Sequence, residues 1–336
     1  MACAADADGA YAALRRMVAG AGLLRRAYGY YLARGAVSFA ILACGIGLAF
    51  VIPQSAALLP LAATIIAIGS VQVALVGHDA GHLAVFESRT ANAALGSLCW
   101  SLSLSISFWY WSDRHTRHHV STNDSLADPD LQWASLVAYS EEMASVQPQA
   151  SKFLRRHQAV LGPLYALLLP FAFRIEGWQF TVRHLRGARR RIEILLMLSG
   201  SLAWLLPILG LGWWWVGVLI ASQVLAGLYL SLAIAPNHIG MPTWPTGTPL
   251  TFLERQVLSS RNVAPNPVWD FVFGGLNYQI EHHLFPTMPR CNLAQARALV
   301  KPFCAKRGLA YTEMGALASY GLVLRELRRV GRAAAA

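Results

Sequence analysis

The sequence predicts an all-α integral membrane protein, with four transmembrane helices paired as two hairpins beneath a cytoplasmic helical cap. Three observations lead there. The chain is 55% hydrophobic and 13% charged, with a mean hydropathy of +0.42, whereas soluble domains average about 25% charged residues. Four apolar stretches, at about 36–52, 58–76, 192–211 and 213–235, approach or reach the roughly 17–25 residues that cross a bilayer. The first two are split only by Pro53-Gln54-Ser55 and the last two only by Gly210-Leu211-Gly212, so each pair reads as a tight hairpin. A large soluble helical core would instead show shorter apolar helices, each with one polar stripe.

Charge placement orients these spans. All 28 Lys and Arg residues lie outside the two hairpin turns. Arg15, Arg16, Arg25, Arg26 and Arg34 precede the first span, and Arg174, Arg183, Arg186 and Arg189-Arg190-Arg191 precede the third. The positive-inside rule then puts both termini and the middle segment in the cytoplasm. The net charge of +11 is accounted for by this topology together with attraction to an anionic leaflet. Nucleic acid is excluded as a partner, because no compact basic domain with interleaved aromatics is present. No repeat, low-complexity tract or soluble linker marks a second domain. Residues 1–336 therefore read as one domain, with hairpins at about 36–76 and 192–235 and a cap made of 77–191 and 236–336.

Two further apolar stretches require placement. Residues 91–111 could span by length, but crossing there would put the histidines at 78–82 and 115–119 on opposite sides. Residues 159–173 are short and interrupted by Pro163 and Pro170. Both read as helices lying in or dipping into the interface, with Trp109-Tyr110-Trp111 as a headgroup-level anchor and Trp213-Trp214-Trp215 as an outer belt. Met1–Gly9 carries two Asp and no basic stretch, so no signal peptide is expected. Cys3, Cys44, Cys99, Cys291 and Cys304 are odd in number and lack a CxxC pair, which predicts reduced thiols.

Histidine placement carries the chemistry. Eight of the ten histidines fall in three clusters and one singlet: His78 and His82 in HDAGH; His115, His118 and His119 in HTRHH; His282 and His283 in QIEHH; and His238 in PNHIG. Imidazole is the commonest protein metal ligand near neutral pH, and helical residues three or four apart share a face. Eight nitrogens exceed the four that one tetrahedral ion takes, which suits two metal ions. With the topology above, every cluster falls on the cytoplasmic side. His157 and His184 sit among arginines without a histidine one turn away and read as surface residues.

The three clusters, in this order and at these intervals, resemble the membrane fatty acid desaturase family: HDAGH matches its HxxxH box, HTRHH its HxxHH box, and QIEHH its third box in the Q/HxxHH form. The resemblance covers about Val76 to Pro286 and continues into FPTMPRCNL; the Gln279 form is that of acyl-lipid, acyl-CoA and front-end types. It implies an oxygen-dependent acyl desaturase with two iron ions held by the seven box histidines and by His238, which restores the eighth. Zinc has no redox chemistry, and removing hydrogen from an unactivated methylene needs dioxygen activated at a reducible metal. Implied partners are a fatty acyl group on a lipid, CoA or carrier protein, the surrounding membrane lipids, and a separate electron donor such as ferredoxin or cytochrome b5, since no HPGG-type haem domain or ferredoxin-like cysteine set is present. The boxes do not separate a desaturase from a lipid hydroxylase or ketolase on the same centre. A metal transporter or sensor would need intramembrane polar residues along a path, and the spans read as almost free of them.

Metal-bound histidines usually give their second ring nitrogen to a carboxylate or carbonyl. Asp79, Glu281, and Asp128 or Asp130 are near enough in sequence to accept such bonds. Asn123 and Asn237 are candidates to hold a water or a ligand imidazole.

Overall fold

The computed structural model describes residues 3–131, 137–146 and 152–333. In chain order its helices are α1 (Cys3–Gly20), α2 (Tyr28–Val51), α3 (Leu59–Gly81), α4 (Arg89–Ser97), α5 (Phe108–Val120), α6 (Glu141–Val146), α7 (Lys152–Arg156), α8 (Gln158–Ala166), α9 (Leu169–His184), α10 (Gly187–Leu205), α11 (Ile208–Leu211), α12 (Trp213–His238), α13 (Phe252–Leu258), α14 (Pro267–Val272), α15 (Gln279–Leu284), α16 (Leu293–Lys306) and α17 (Ala316–Ala333). Among the described residues the only strands are β1 (Asn262–Val263) and β2 (Glu313–Met314), a short parallel pair. Among the described residues, four helical stretches are long and apolar enough to cross a membrane: Tyr28–Val51, Leu59–Gly81, Gly187–Leu211 and Trp213–His238. The expected spans are therefore present, three of them extended by more than a turn at one end and the fourth by three residues. The α8–α9 pair, bent by 66°, passes the same test only when taken together. Pro163 lies within α8 and Pro170 in the first turn of α9.

The chain divides into two compact units. One unit, Arg26–Asp113 with Leu164–Ser231, contains most of the spanning helices. Here α2 and α3 meet through glycine. A Cβ on Gly45 would lie 2.7 Å from the backbone nitrogen of Ile66, and one on Gly69 would lie 2.5 Å from Leu42 Cα. With no hydrophobic driving force between helices in lipid, close backbone approach at small residues supplies the packing. Two-thirds of the apolar stretch of α3 is buried, against about a fifth of that of α2. Side chains on α3 thus face protein on nearly every side, and the helix ends in box one.

This unit corrects three expectations. The stretch 91–111 is not one continuous helix: α4 runs into one turn of π-helix (Leu98–Leu102), and the chain then breaks before α5. Trp109-Tyr110-Trp111 is not an exposed anchor. Tyr110 and Trp111 are each only 7% exposed; Tyr110 donates to Glu176, and Trp111 stacks on Trp100 at 5.0 Å. Packing and a hydroxyl partner thus hold Tyr110 and Trp111 inside the protein. Of the Trp213-Trp214-Trp215 run, Trp213 is 87% exposed, while Trp215 is buried with its indole N–H on the Trp204 carbonyl.

The spans are also less purely apolar than their sequence suggests. Gln72 accepts from Arg34 at 2.5 Å and donates to Tyr229 at 2.7 Å. Buried Glu193 of α10 accepts from Ser101 and Ser107 at 2.8 and 2.7 Å. These groups face the interior and bond one another, as polar groups in a membrane tend to, although Glu193 Oε2 is left without a hydrogen-bond partner among the described residues.

The other unit, Met1–Arg25 with Arg114–Pro163 and Leu232–Ala336, holds the later histidines. Ala10, Leu14 and Val18 recur every four residues along one face of α1 and pack with Leu253 and Val257 of α13, Ile280 and Leu284 of α15, and Ala296, Val300 and Cys304 of α16. A helix of six residues such as α15 is too short to be stable alone, so box three is held by this apolar layer. Tyr11 adds a hydrogen bond to the Leu284 carbonyl at 2.8 Å. The α13 helix begins at a capping box, Thr251 and Glu254 each bonding the other's backbone nitrogen. Among the described residues, Cys44, Cys99, Cys291 and Cys304 form no disulfide; the Cys3 side chain lies outside them.

Candidate metal centre

Box one sits at the end of α3. His78 and His82 are one turn apart, with ring centroids 4.7 Å from each other. Asp79 holds the first of them: its Oδ1 lies 3.1 Å from His78 Nδ1, while its Oδ2 accepts from the Tyr31 hydroxyl at 2.8 Å. The Trp111 ring closes one side, 5.3 Å from His78. Gly81 is required for this, since a Cβ there would collide with the Trp111 ring.

Boxes two and three, with His238, form a second set. His115, His118 and His119 occupy one face of α5, and His282 and His283 lie on α15. Ring centroids are 4.8 Å apart for His118–His238, 4.7 Å for His238–His283, 4.1 Å for His119–His283 and 4.8 Å for His119–His282. His115 Nε2 and His119 Nε2 approach to 3.2 Å. One nitrogen from each of His118, His238 and His283 falls within 4.8 Å of the others. Six rings from three separated segments thus form one continuous cluster.

The partners of the other ring nitrogens decide which nitrogen each imidazole presents. His118 Nδ1 lies 3.0 Å from both carboxylate oxygens of buried Asp128, with Asp130 at 3.7 Å. Burial disfavours the imidazolium, but Asp128 and then Asp130 outweigh it and hold the His118 pKa up at about 9. His238 Nδ1 donates to the Ser259 carbonyl at 2.9 Å, and His283 Nδ1 lies 2.9 Å from Gln256 Oε1. All three Nδ1 atoms are engaged, so each ring offers Nε2, the arrangement typical of metal-bound histidine. Once His118 gives up its Nε2 proton to an incoming ion, the three nitrogens, each on a ring whose second nitrogen is fixed, suit iron, copper, zinc or nickel. One group competes for it: the Gln279 side-chain nitrogen is 2.9 Å from His238 Nε2, so an ion there would displace that amide.

The remaining sequence candidates separate. Asp79 and Asp128 each bond a box histidine, whereas Asp130 bonds Arg114 at 3.0 Å. Glu281 does not serve a histidine. It accepts from Asn262 and from the Tyr311 hydroxyl, both at 2.8 Å, because successive helical residues diverge by about 100° and Glu281 turns toward the β1–β2 pair. Burial raises its pKa to about 7. Asn237 donates to Gln279 Oε1 at 3.1 Å rather than to an imidazole, and Asn123 donates to the carbonyls of His238 and Pro242. His157 and His184 are exposed, against Phe153 and Phe180.

Sequence reasoning missed Tyr31, Gln256, Ser259 and Arg261. The Arg261 guanidinium is buried at the carbonyl end of α12, donating to Pro236 at 2.7 Å and to Ile239 at 3.0 Å. It thereby caps orphan carbonyls and opposes the negative helix end next to His238. Tyr31 and Gln256 lie within helices and Ser259 and Arg261 in the loop after α13, and none of the four belongs to a repeated pattern of like residues that would have revealed it.

Comparison with known proteins agrees with this geometry. The sequence model of the family described as "Fatty acid desaturase" matches residues 53–315. The chain is similar to an acyl-lipid (9-3)-desaturase of Physcomitrium patens, 31% identical over 79% of this chain and 52% of the relative. It is similar to a Delta(6)-fatty-acid desaturase of Caenorhabditis elegans, 28% identical over 80% of this chain and 64% of the relative. A Delta 8-(E)-sphingolipid desaturase of Kluyveromyces lactis is 28% identical over 78% of this chain and 49% of its own length. The chain thus spans from about half to just under two-thirds of the length of these relatives.

Proposed function

The chain belongs to the fatty acid desaturase family, and from that premise we propose that it introduces a double bond into a fatty acyl chain. The observation that carries the reading is the cluster of six imidazoles in which His118, His238 and His283 each have Nδ1 engaged and Nε2 offered. The proposed ligands are His78, His82, His115, His118, His119, His238, His282 and His283. Bound there, two iron ions would supply the activation of dioxygen that removing hydrogen from a methylene requires. In balance, two hydrogens leave the acyl chain, and with two electrons and two protons dioxygen becomes two waters. The electrons come from a separate donor protein.

The chain's own residues perform the positioning. Asp79, itself held by Tyr31, orients the His78 ring; Asp128 orients His118; the Ser259 carbonyl orients His238. Apolar spans provide the medium into which an acyl chain partitions, at about 0.8 kcal/mol per buried CH₂. The relatives act on fatty acids and sphingolipids at different positions, by their names, and the Gln279 box resembles that of front-end and acyl-lipid types. We place the termini and the metal centre on the cytoplasmic side, where the basic residues lie.

Expression in a host of known lipid composition, followed by mass spectrometric location of any new double bond, tests this directly. A new olefin in the wild-type host lipids, absent with His118→Ala, is the expected result. An alcohol or ketone product instead would make the chain an oxygen-inserting relative, and an unchanged lipid profile with a competent donor supplied would overturn the reading.

A further inference from the structure

Gln256 lies on α13, outside every histidine box, and is fully buried. Its amide touches two boxes at once. Nε2 donates to the His119 carbonyl at 2.9 Å, and Oε1 lies 2.9 Å from His283 Nδ1. A carbonyl oxygen only accepts, so the His119 contact determines which end of the amide is nitrogen. The opposite end is then an oxygen, which also only accepts, so the hydrogen in the second contact must sit on His283 Nδ1. An imidazole protonated at Nδ1 carries its lone pair on Nε2. His283 is therefore held in one tautomer by an amide that the backbone of box two orients.

The surroundings keep the amide in place. Thr122, just past box two, brings its hydroxyl to 3.1 Å from Gln256 Oε1 and 3.2 Å from His283 Nδ1, and bonds the His118 carbonyl at 3.0 Å. The Thr251–Glu254 capping box sets where α13 begins. Leu253 and Val257, beside Gln256 in sequence, pack in one apolar cluster with Ile280 and Leu284 of α15. Neither the amide nor the ring can shift without disturbing that core.

We propose that Gln256 is a positioning residue of the metal centre: through its amide it fixes His283 as the Nδ1–H tautomer, presents Nε2 to the metal and ties the second histidine box to the third. This rests on the reading of the cluster as a metal centre. The purified full chain in detergent is loaded with ferrous iron alone, its affinity measured by competition with a chelator, and the thermal unfolding of the metal-free protein recorded alongside. Gln256→Leu, of similar size with no acceptor, should bind iron about 10–100-fold more weakly, the usual loss when such a partner is removed. Gln256→Glu keeps an acceptor for Nδ1–H while losing the donor to His119, and should stay within about threefold of the parent or bind more tightly, since carboxylate partners also serve this role. If Gln256→Leu is not folded, Gln256→Met replaces it with the same expected loss. Parental affinity in the Leu or Met variant overturns the proposal. So does a folded Glu variant as weak as Leu, which would assign the residue to bracing His119. A parent chain that takes up no iron would instead overturn the metal-centre reading, and this inference with it.

Discussion

The two units of this protein hold their histidines by different means. In the span-bearing unit, box one lies at the end of a buried helix pressed against α2 through Gly45 and Gly69, with Trp111 against the rings; one polar chain, Tyr31–Asp79–His78, orients an imidazole. In the other unit, three histidines are each oriented by a hydrogen bond to a different kind of acceptor: a carboxylate, a backbone carbonyl and an amide. The difference teaches that a lipid-facing scaffold is built by volume, whereas ring orientation is set by acceptors, which carry direction that packing alone lacks.

Substitutions can break this contrast at either end. The largest effect is expected from the ligands. His115→Ala, His118→Ala and His119→Ala should each reduce lipid desaturation below detection while the protein remains in the membrane, and His157→Ala and His184→Ala should keep parental turnover. Product analysis of the five variants checks this; a His157→Ala variant as inactive as His118→Ala would overthrow the ligand assignment. His238→Ala tests the one proposed ligand outside the boxes. Lower iron content and lost activity at near-normal expression are expected, and full iron occupancy with activity retained would reduce His238 to a helix-end residue.

The packing side of the comparison is smaller in effect. Gly69→Ala places a methyl 2.5 Å from Leu42 backbone atoms, whereas Gly47 on α2 has nothing within 4 Å. Gly69→Ala should therefore cost about 1–3 kcal/mol, the usual penalty of overpacking, seen as a lower unfolding temperature in detergent. Gly47→Ala should be neutral or slightly stabilising; equal behaviour of the two would contradict a scaffold built by close approach. Smallest of all, Tyr31→Phe deletes one hydroxyl donor to Asp79 and should weaken iron binding about tenfold, at the lower end of such losses, with unfolding of the metal-free protein nearly unchanged. A large fall in stability without a change in iron affinity would make Tyr31 a packing residue like its neighbours.

The sequence by itself determined the spans, the box histidines and the general chemistry, because each is written in local pattern: about twenty apolar residues in a row, or imidazoles three and four apart on one helix face. Asp79 and Asp128 were within reach of the same logic, lying one and ten residues from the rings they bond. Glu281 shows where adjacency misleads, since a neighbour in a helix points elsewhere and this carboxylate serves Asn262 and Tyr311. Only the tertiary structure decided that Tyr31 acts on Asp79 across 48 positions, that Thr122 and Gln256 meet across 134, and that Arg261 caps the helix carrying His238. It also decided that Trp111 is buried against box one instead of exposed at an interface. The physical reason is common to all four: a hydrogen bond or ring contact depends on where two side chains meet in space, and the packing that brings them there involves the whole core, so neither partner's local sequence contains it.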